Sequence, residues 1–199
     1  MNEEGVIKFK STWIRKNALD ESLIHDLNNC RQHLYQLSLI GCTIDGIGYG
    51  NISKRFTGNS FIISGSGTGN IRVTDHQHYT LVTSFDIEGN SLVAEGPVMA
   101  SSESLTHAML YQCDKDVQAV IHVHHHALWE RLMSVLPGTE KNVAYGTPAM
   151  AMEIKRIYTH NQIRQQKIFA MGGHQDGIIA FGESLAAVEK IITGQLARV

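Results

Sequence analysis

The stretch VQAVIHVHHH, residues 117–126, carries most of the structural information in this chain. Its first half is apolar and β-branched, the composition of a strand buried on both faces. Side chains alternate along a strand, so His122 and His124 leave the same face at its end. Two imidazoles at i and i+2 on a rigid element can chelate one ion, and a catalytic site adds a third protein ligand and an open position. Neutral imidazole suits zinc first, with manganese, iron and cobalt as alternatives. Spacing alone leaves a second reading open, a strand-end cluster of hydrogen-bonded or solvated histidines. His125 and His126 are expected to point elsewhere or to enter the next helix.

Working outward, residues 20–40 place Leu23, Ile24, Leu27, Leu34 and Leu37 at a helical period, with Gly41 as the expected stop. A glycine-rich piece, GIGYGNISKR, follows. FIIS then reads as a strand leading into GSGTGN, and YTLVTSFDI and SLVAEG alternate around EGN as a hairpin. SSESLTHAMLYQ opens with helix N-terminal residues and puts Leu105, Met109 and Leu110 on one stripe. HALWERLMSVL reads as helical and stops before Pro137. Pro148 is a favoured first-turn residue and predicts a helix through MAMEIKRIY. KIFAM and DGIIAFG read as short strands, and SLAAVEKIITGQLARV as a closing amphipathic helix. Strands and helices mix without strict alternation, so an α/β or α+β layered domain is expected, a single one over residues 1–199.

The 199 residues are enough to bury a core, and 43% hydrophobic with 18% charged residues is a globular composition. A formal net charge of −2 gives no general attraction to nucleic acid or anionic membrane, which favours a small-molecule site. No apolar run approaches the roughly 20 residues of a membrane span, and MNEEGVIKFK lacks a signal-peptide core. Cys30, Cys42 and Cys113 share no CxxC spacing, so a reduced, cytoplasmic compartment is expected. Of 11 histidines, four fall within residues 122–126 and another in GGHQDG. In that second segment His174 and Asp176 share a face if the chain is extended, and either could complete a metal site.

In order, GNIS at residues 50–53, the Ser/Gly turn SGSGTG, ASSES, VIHVHHH, YGTP and GIIAFG resemble the class II aldolase/adducin family. The match spans roughly residues 23–192. The resemblance implies a three-layer α/β/α sandwich with a largely antiparallel central sheet, and homotetramers with sites near subunit interfaces. Carried over by position, His122 and His124 match the family's paired metal histidines, with zinc as the usual ion. Glu103 matches the carboxylate that serves as general acid/base. Asn51, Ser66, Gly67, Ser101 and Ser102 match the groups that hold a substrate phosphate. The implied activity is retro-aldol cleavage of a small sugar phosphate through a metal-stabilised enediolate. The family also holds pentulose-phosphate epimerases, methylthio-sugar-phosphate dehydratases and decarboxylases, and the non-catalytic adducin head.

Two departures from the family pattern stand out. The third metal histidine ordinarily precedes the glycine ahead of the last core strand, but Asp176 stands there. Strand alternation makes His174 the expected third ligand, with Asp176 as the competitor and a harder ion as its consequence. The chain is also short between Trp129 and Tyr145 and stops soon after its last helix, regions that carry substrate-specific residues in the aldolases.

Overall fold

The computed structural model describes residues 6–199; the first five residues of the expected domain lie outside the described residues. Strand β1 (Lys10–Arg15) precedes helix α1 (Glu21–Gln36). Asp20 caps α1, its carboxylate accepting from the Ser22 N–H at 2.8 Å. The helix ends five residues before the glycine expected to stop it. Ser38 adopts φ 58° and turns the chain, while Leu39 and Ile40 continue the apolar pattern because they drop into the core. Gly41 instead opens a two-residue strand, β2 (Gly41–Cys42), paired with β3 (Gly48–Tyr49).

The expected FIIS strand and hairpin follow as β5 (Phe61–Ser64), β6 (Tyr79–Asp86) and β7 (Ser91–Gly96), after an unpredicted β4 (Asn51–Arg55). Next come α2 (Ser104–Cys113), β8 (Ala119–His124), α3 (His126–Val135) and α4 (Pro148–Tyr158), which begins on Pro148 as expected. Helix α5 (Asn161–Gln166), β9 (Ile168–Ala170), β10 (Gly177–Gly182) and α6 (Leu185–Leu196) complete the described chain.

Among the described residues, β1-β7-β6-β5-β4-β8-β10-β9 form one mixed sheet. Every neighbouring pair is antiparallel except β1 with β7. The β1 residues KSTWIR lie on a sheet edge and set the apolar Trp13 and Ile14 side by side among polar neighbours, so no alternation announces them as a strand. Strand β8 lies between β4 and β10, and pairing on both sides removes its backbone from water. Its neighbouring residues feed two separate apolar clusters. Val120 joins Phe61, Ile179 and the inner faces of α2 and α4, whereas Ile121 and Val123 join Ile62, Ile178 and α1, α3 and α6. Each fully buried aliphatic side chain contributes about 1.5–3 kcal/mol, so these clusters dominate stability. His122 and His124 follow the parity of Val120 and therefore emerge on the α2 side.

Candidate metal centre and active site

Register builds the centre. His122 pairs with Asn51 of β4 on one side and Ile179 of β10 on the other, and His124 pairs with Gly177. Helix α2 lies across this face, so its residues one turn apart stand over successive rungs. Glu103 is at its N-cap position, as the acidic start of SSES suggested, yet its side chain makes no capping hydrogen bond. Instead the carboxylate, 2% exposed, turns to the histidines. Its Oε2 lies 2.9 Å from His122 Nε2, and its Oε1 lies 3.1 Å from His174 Nδ1. Asn51 Nδ2 donates to Oε2 at 3.4 Å.

His174 reaches this point by a route different from the one expected. GGHQDG is a turn, not an extended strand, and Asp176 takes φ 65°. Alternation therefore does not apply, and the two side chains diverge. Asp176 lies outside the cluster, where its Oδ1 meets His126 Nδ1 at 2.7 Å. His174 points inward, stacked on Tyr145 with ring centroids 4.0 Å apart. The glycines make this approach possible: a Cβ on Gly173 would lie 1.7 Å from the Val143 carbonyl oxygen.

The ring nitrogens of His122, His124 and His174 lie within 4.8 Å of one another. His122 Nε2 and His124 Nε2 are 3.1 Å apart, close to the roughly 3.3 Å between two nitrogens on one tetrahedral zinc with bonds of about 2.05 Å. His122 Nδ1 sits 3.1 Å from the Ile178 carbonyl, which can accept its proton and leave a lone pair on Nε2. Tyr49 stacks on His124 at 4.9 Å. Burial, with His122 and His174 close by, pushes the His124 imidazole down to about 2, so it stays neutral. Burial works to raise the Glu103 carboxyl, but the charges and hydrogen bonds of His122 and His174 outweigh it and hold the group well below its usual range. Three imidazoles converging beside one carboxylate fit a divalent transition metal.

The remaining sequence candidates converge on the same region. An isolated bridge joins Gly65 to Ala100, and the Ser66 N–H donates to the Met99 carbonyl at 2.8 Å. This lays the SGSGTG turn beside Ser101 and Ser102, both nearly buried. Gly67 is exposed with φ 72°, a backbone few other residues adopt. Asn51 Oδ1 is buried with no hydrogen-bond partner among the described residues, while Nδ2 of the same amide meets Glu103.

A cleft of about 360 Å³ opens onto His124 and His174 and is lined also by Thr43, Tyr145 and Gln175. A larger cleft of about 540 Å³ lies at the opposite end of β8 and β10. There Lys167 Nζ meets Glu183 Oε2 at 2.5 Å, and Tyr158 Oη donates to Asp114 Oδ2 at 2.5 Å. The histidine end carries the reactive groups.

Sequence reasoning did not single out Tyr49, Tyr145 or His107. His107 stands one turn after Glu103, fully buried, with Nδ1 2.7 Å from Ser53 Oγ. Burial pushes its imidazole down to about 3, so it is a neutral support under α2. Its i+4 spacing from Glu103, on the same helix face, was the available signal.

Comparison with known proteins gives a family and a fold. The sequence profile of the class II aldolase and adducin N-terminal domain matches residues 37–192. No curated protein matches the sequence significantly. Among solved structures, an L-fuculose 1-phosphate aldolase superposes with a TM-score of 0.68 at 20% identity, covering 91% of this chain and 84% of that one. The L-fuculose-1-phosphate aldolase of Thermus thermophilus gives 0.62 at 18%, covering 87% and 88%. A sugar-phosphate aldolase from Thermotoga maritima gives 0.61 at 14%, covering 88% and 94%. At such identities the likeness is one of fold. With the profile spanning most of the sequence, the chain belongs to the class II aldolase and adducin N-terminal domain family.

Proposed function

We propose that this chain is a divalent-metal-dependent lyase, zinc first, that cleaves a small sugar phosphate by a retro-aldol reaction. The observation that carries the reading is the Glu103 carboxylate, buried and within 2.9 and 3.1 Å of His122 and His174. A scaffold has no use for a buried carboxylate set between converging imidazoles. His122, His124 and His174 would hold the ion, which supplies Lewis-acid polarisation of the substrate carbonyl. Glu103 serves as the proton carrier. In the cleavage direction the Glu103 carboxylate would take the proton of the substrate's β-hydroxyl as the bond between the α and β carbons breaks. The electron pair stays on the α carbon, and Glu103 returns that same proton to it. Asn51, Ser66, Gly67, Ser101 and Ser102 would orient the phosphate through hydroxyls, an amide and backbone N–H groups. We also read the layering as a three-layer α/β/α sandwich, on the alternation of strand residues between two cores.

The test is a screen of phosphorylated ketoses, and of aldol donor–acceptor pairs, with metal-replete protein. Release of dihydroxyacetone phosphate and an aldehyde is expected. The Glu103→Gln variant should retain its metal and lose about 10²–10⁴-fold in turnover. Isomerisation without cleavage would replace this reading with an epimerase.

A further inference from the structure

Arg31 lies on the buried side of α1 and is 1% exposed. Its Nη2 donates to the carbonyl oxygens of Thr68 at 2.9 Å and Gly69 at 3.2 Å. Its Nη1 donates to Gln32 Oε1 at 3.0 Å and to the Arg72 carbonyl at 3.5 Å. The guanidinium carbon stands 4.7 Å from the Tyr35 ring centroid. Among the described residues, every hydrogen-bond acceptor it meets is neutral, and no carboxylate forms an ion pair with it. Desolvation lowers its pKa, but a guanidinium keeps its proton. Burying a cation without a counter-charge is costly, and carbonyl dipoles offset only part of the cost.

The cation stands directly behind the SGSGTGN loop. Because a trans peptide sets C=O and N–H on opposite sides, the carbonyls of Thr68 and Gly69 turned toward Arg31 send the Gly69 and Asn70 N–H groups away from it. Among the described residues, the N–H groups of Gly67, Gly69 and Asn70 have no protein acceptor. Oriented peptide dipoles with a fixed charge behind them make the loop front electropositive. The Gly65–Ala100 bridge sets the start of this loop beside Ser101 and Ser102, and the Gly69 and Asn70 nitrogens lie 3.1 and 3.3 Å from where a Cβ on Gly48 would stand. The loop is also braced from the metal side, since a Cβ on Gly69 would lie 2.7 Å from the Gly41 carbonyl oxygen and 2.8 Å from the Tyr49 nitrogen.

We propose that Arg31 is the buried charge of an anion subsite formed by residues 66–70, and that it makes this centre select a phosphorylated ligand over its neutral counterpart. The proposal rests on the phosphate reading above and adds the source of positive charge, which the hydroxyl, amide and glycine groups lack. An anion bound at the loop is the missing counter-charge. Arg31 acts through the loop's peptides, so it is a positioning residue and need not touch the ligand.

The test titrates inorganic phosphate into metal-replete protein by calorimetry, with metal content measured in parallel. Arg31→Met and Arg31→Gln should weaken phosphate binding by roughly tenfold or more at unchanged metal content. Arg31→Lys, which keeps the charge, should stay within about threefold of wild type, an effect a merely structural pin would not give. Unchanged phosphate affinity in a folded neutral variant would overturn the proposal. So would a loss in Arg31→Lys as large as in the neutral variants, and that arm decides alone if neither neutral variant folds. Failure of the wild-type protein itself to bind phosphate would instead overturn the phosphate reading.

Discussion

Replacing Gly173 with alanine should displace His174, the third ligand of the proposed metal site, while leaving His122 and His124 in place. The added Cβ would sit 1.7 Å from the Val143 carbonyl oxygen, where real contacts essentially never fall below 3.0 Å. The two segments must therefore part by about 1.3 Å (3.0 − 1.7). Both partners are backbone, so no side-chain rotation relieves the overlap. His174 is the next residue, and metal–nitrogen bonds tolerate only about ±0.2 Å around their usual lengths. Even half of the displacement passed to His174 exceeds that tolerance. Metal affinity should fall by about 100-fold or more, equivalent to roughly 2.7 kcal/mol. The strain itself should cost about 1–3 kcal/mol, lowering Tm by roughly 2–12 °C in a chain of this size. Competition with a chromophoric chelator measures the first quantity and thermal unfolding the second. Gly194→Ala is the control, since nothing lies within 4 Å of a Cβ there, and in helix α6 it should stabilise by about 0.5–1 kcal/mol. Wild-type metal affinity in Gly173→Ala would refute the claim that this close approach positions His174.

Metal removal should lower Tm, because an ion that binds only the folded chain stabilises it by about 2.7 kcal/mol at 100-fold excess over Kd. His122→Ala and His124→Ala should abolish that dependence, read as the Tm difference with and without chelator. A pH effect follows from Asp114, whose carboxyl is held below its usual range chiefly by the Tyr158 hydroxyl that donates to it. A depressed folded pKa adds stability above the unfolded value of 3.8 that is lost as pH falls through the folded value. Asp114→Asn should therefore destabilise by about 0.5–1 kcal/mol near neutrality, discounted for partial exposure. The gap to wild type should close below pH 3.8, which Tm measurements across acidic pH can follow.

Where local chemistry decides, the sequence was legible. The apolar β-branched run ending in His122 and His124 states its own burial, face and reactive end. Pro148 marks a helix start because a first-turn residue needs no N–H, and the EGN turn states its hairpin. Elements held by partners far away in sequence were not legible. Strand β1 has the polar pattern of a loop and becomes a strand because β7 offers it a free edge. Arg31 occupies a core-facing helical position that reads as solvent-bound, and only the carbonyls of a loop about 40 residues onward explain it.

The GGHQDG segment shows the same division at the centre. Its composition narrows the third candidate ligand to His174 or Asp176, and alternation favours His174 for a reason that a turn does not obey. The choice comes from Val143, whose carbonyl meets the glycine side of the turn, and from Tyr145, whose ring stacks on His174. His126, meanwhile, takes the Asp176 carboxylate. Sequence alone therefore determined the strand, its paired histidines and the residue types around them, because alternation and composition are local. Tertiary structure decided which side chain completes the cluster, because close packing between distant segments sets where a turn can point.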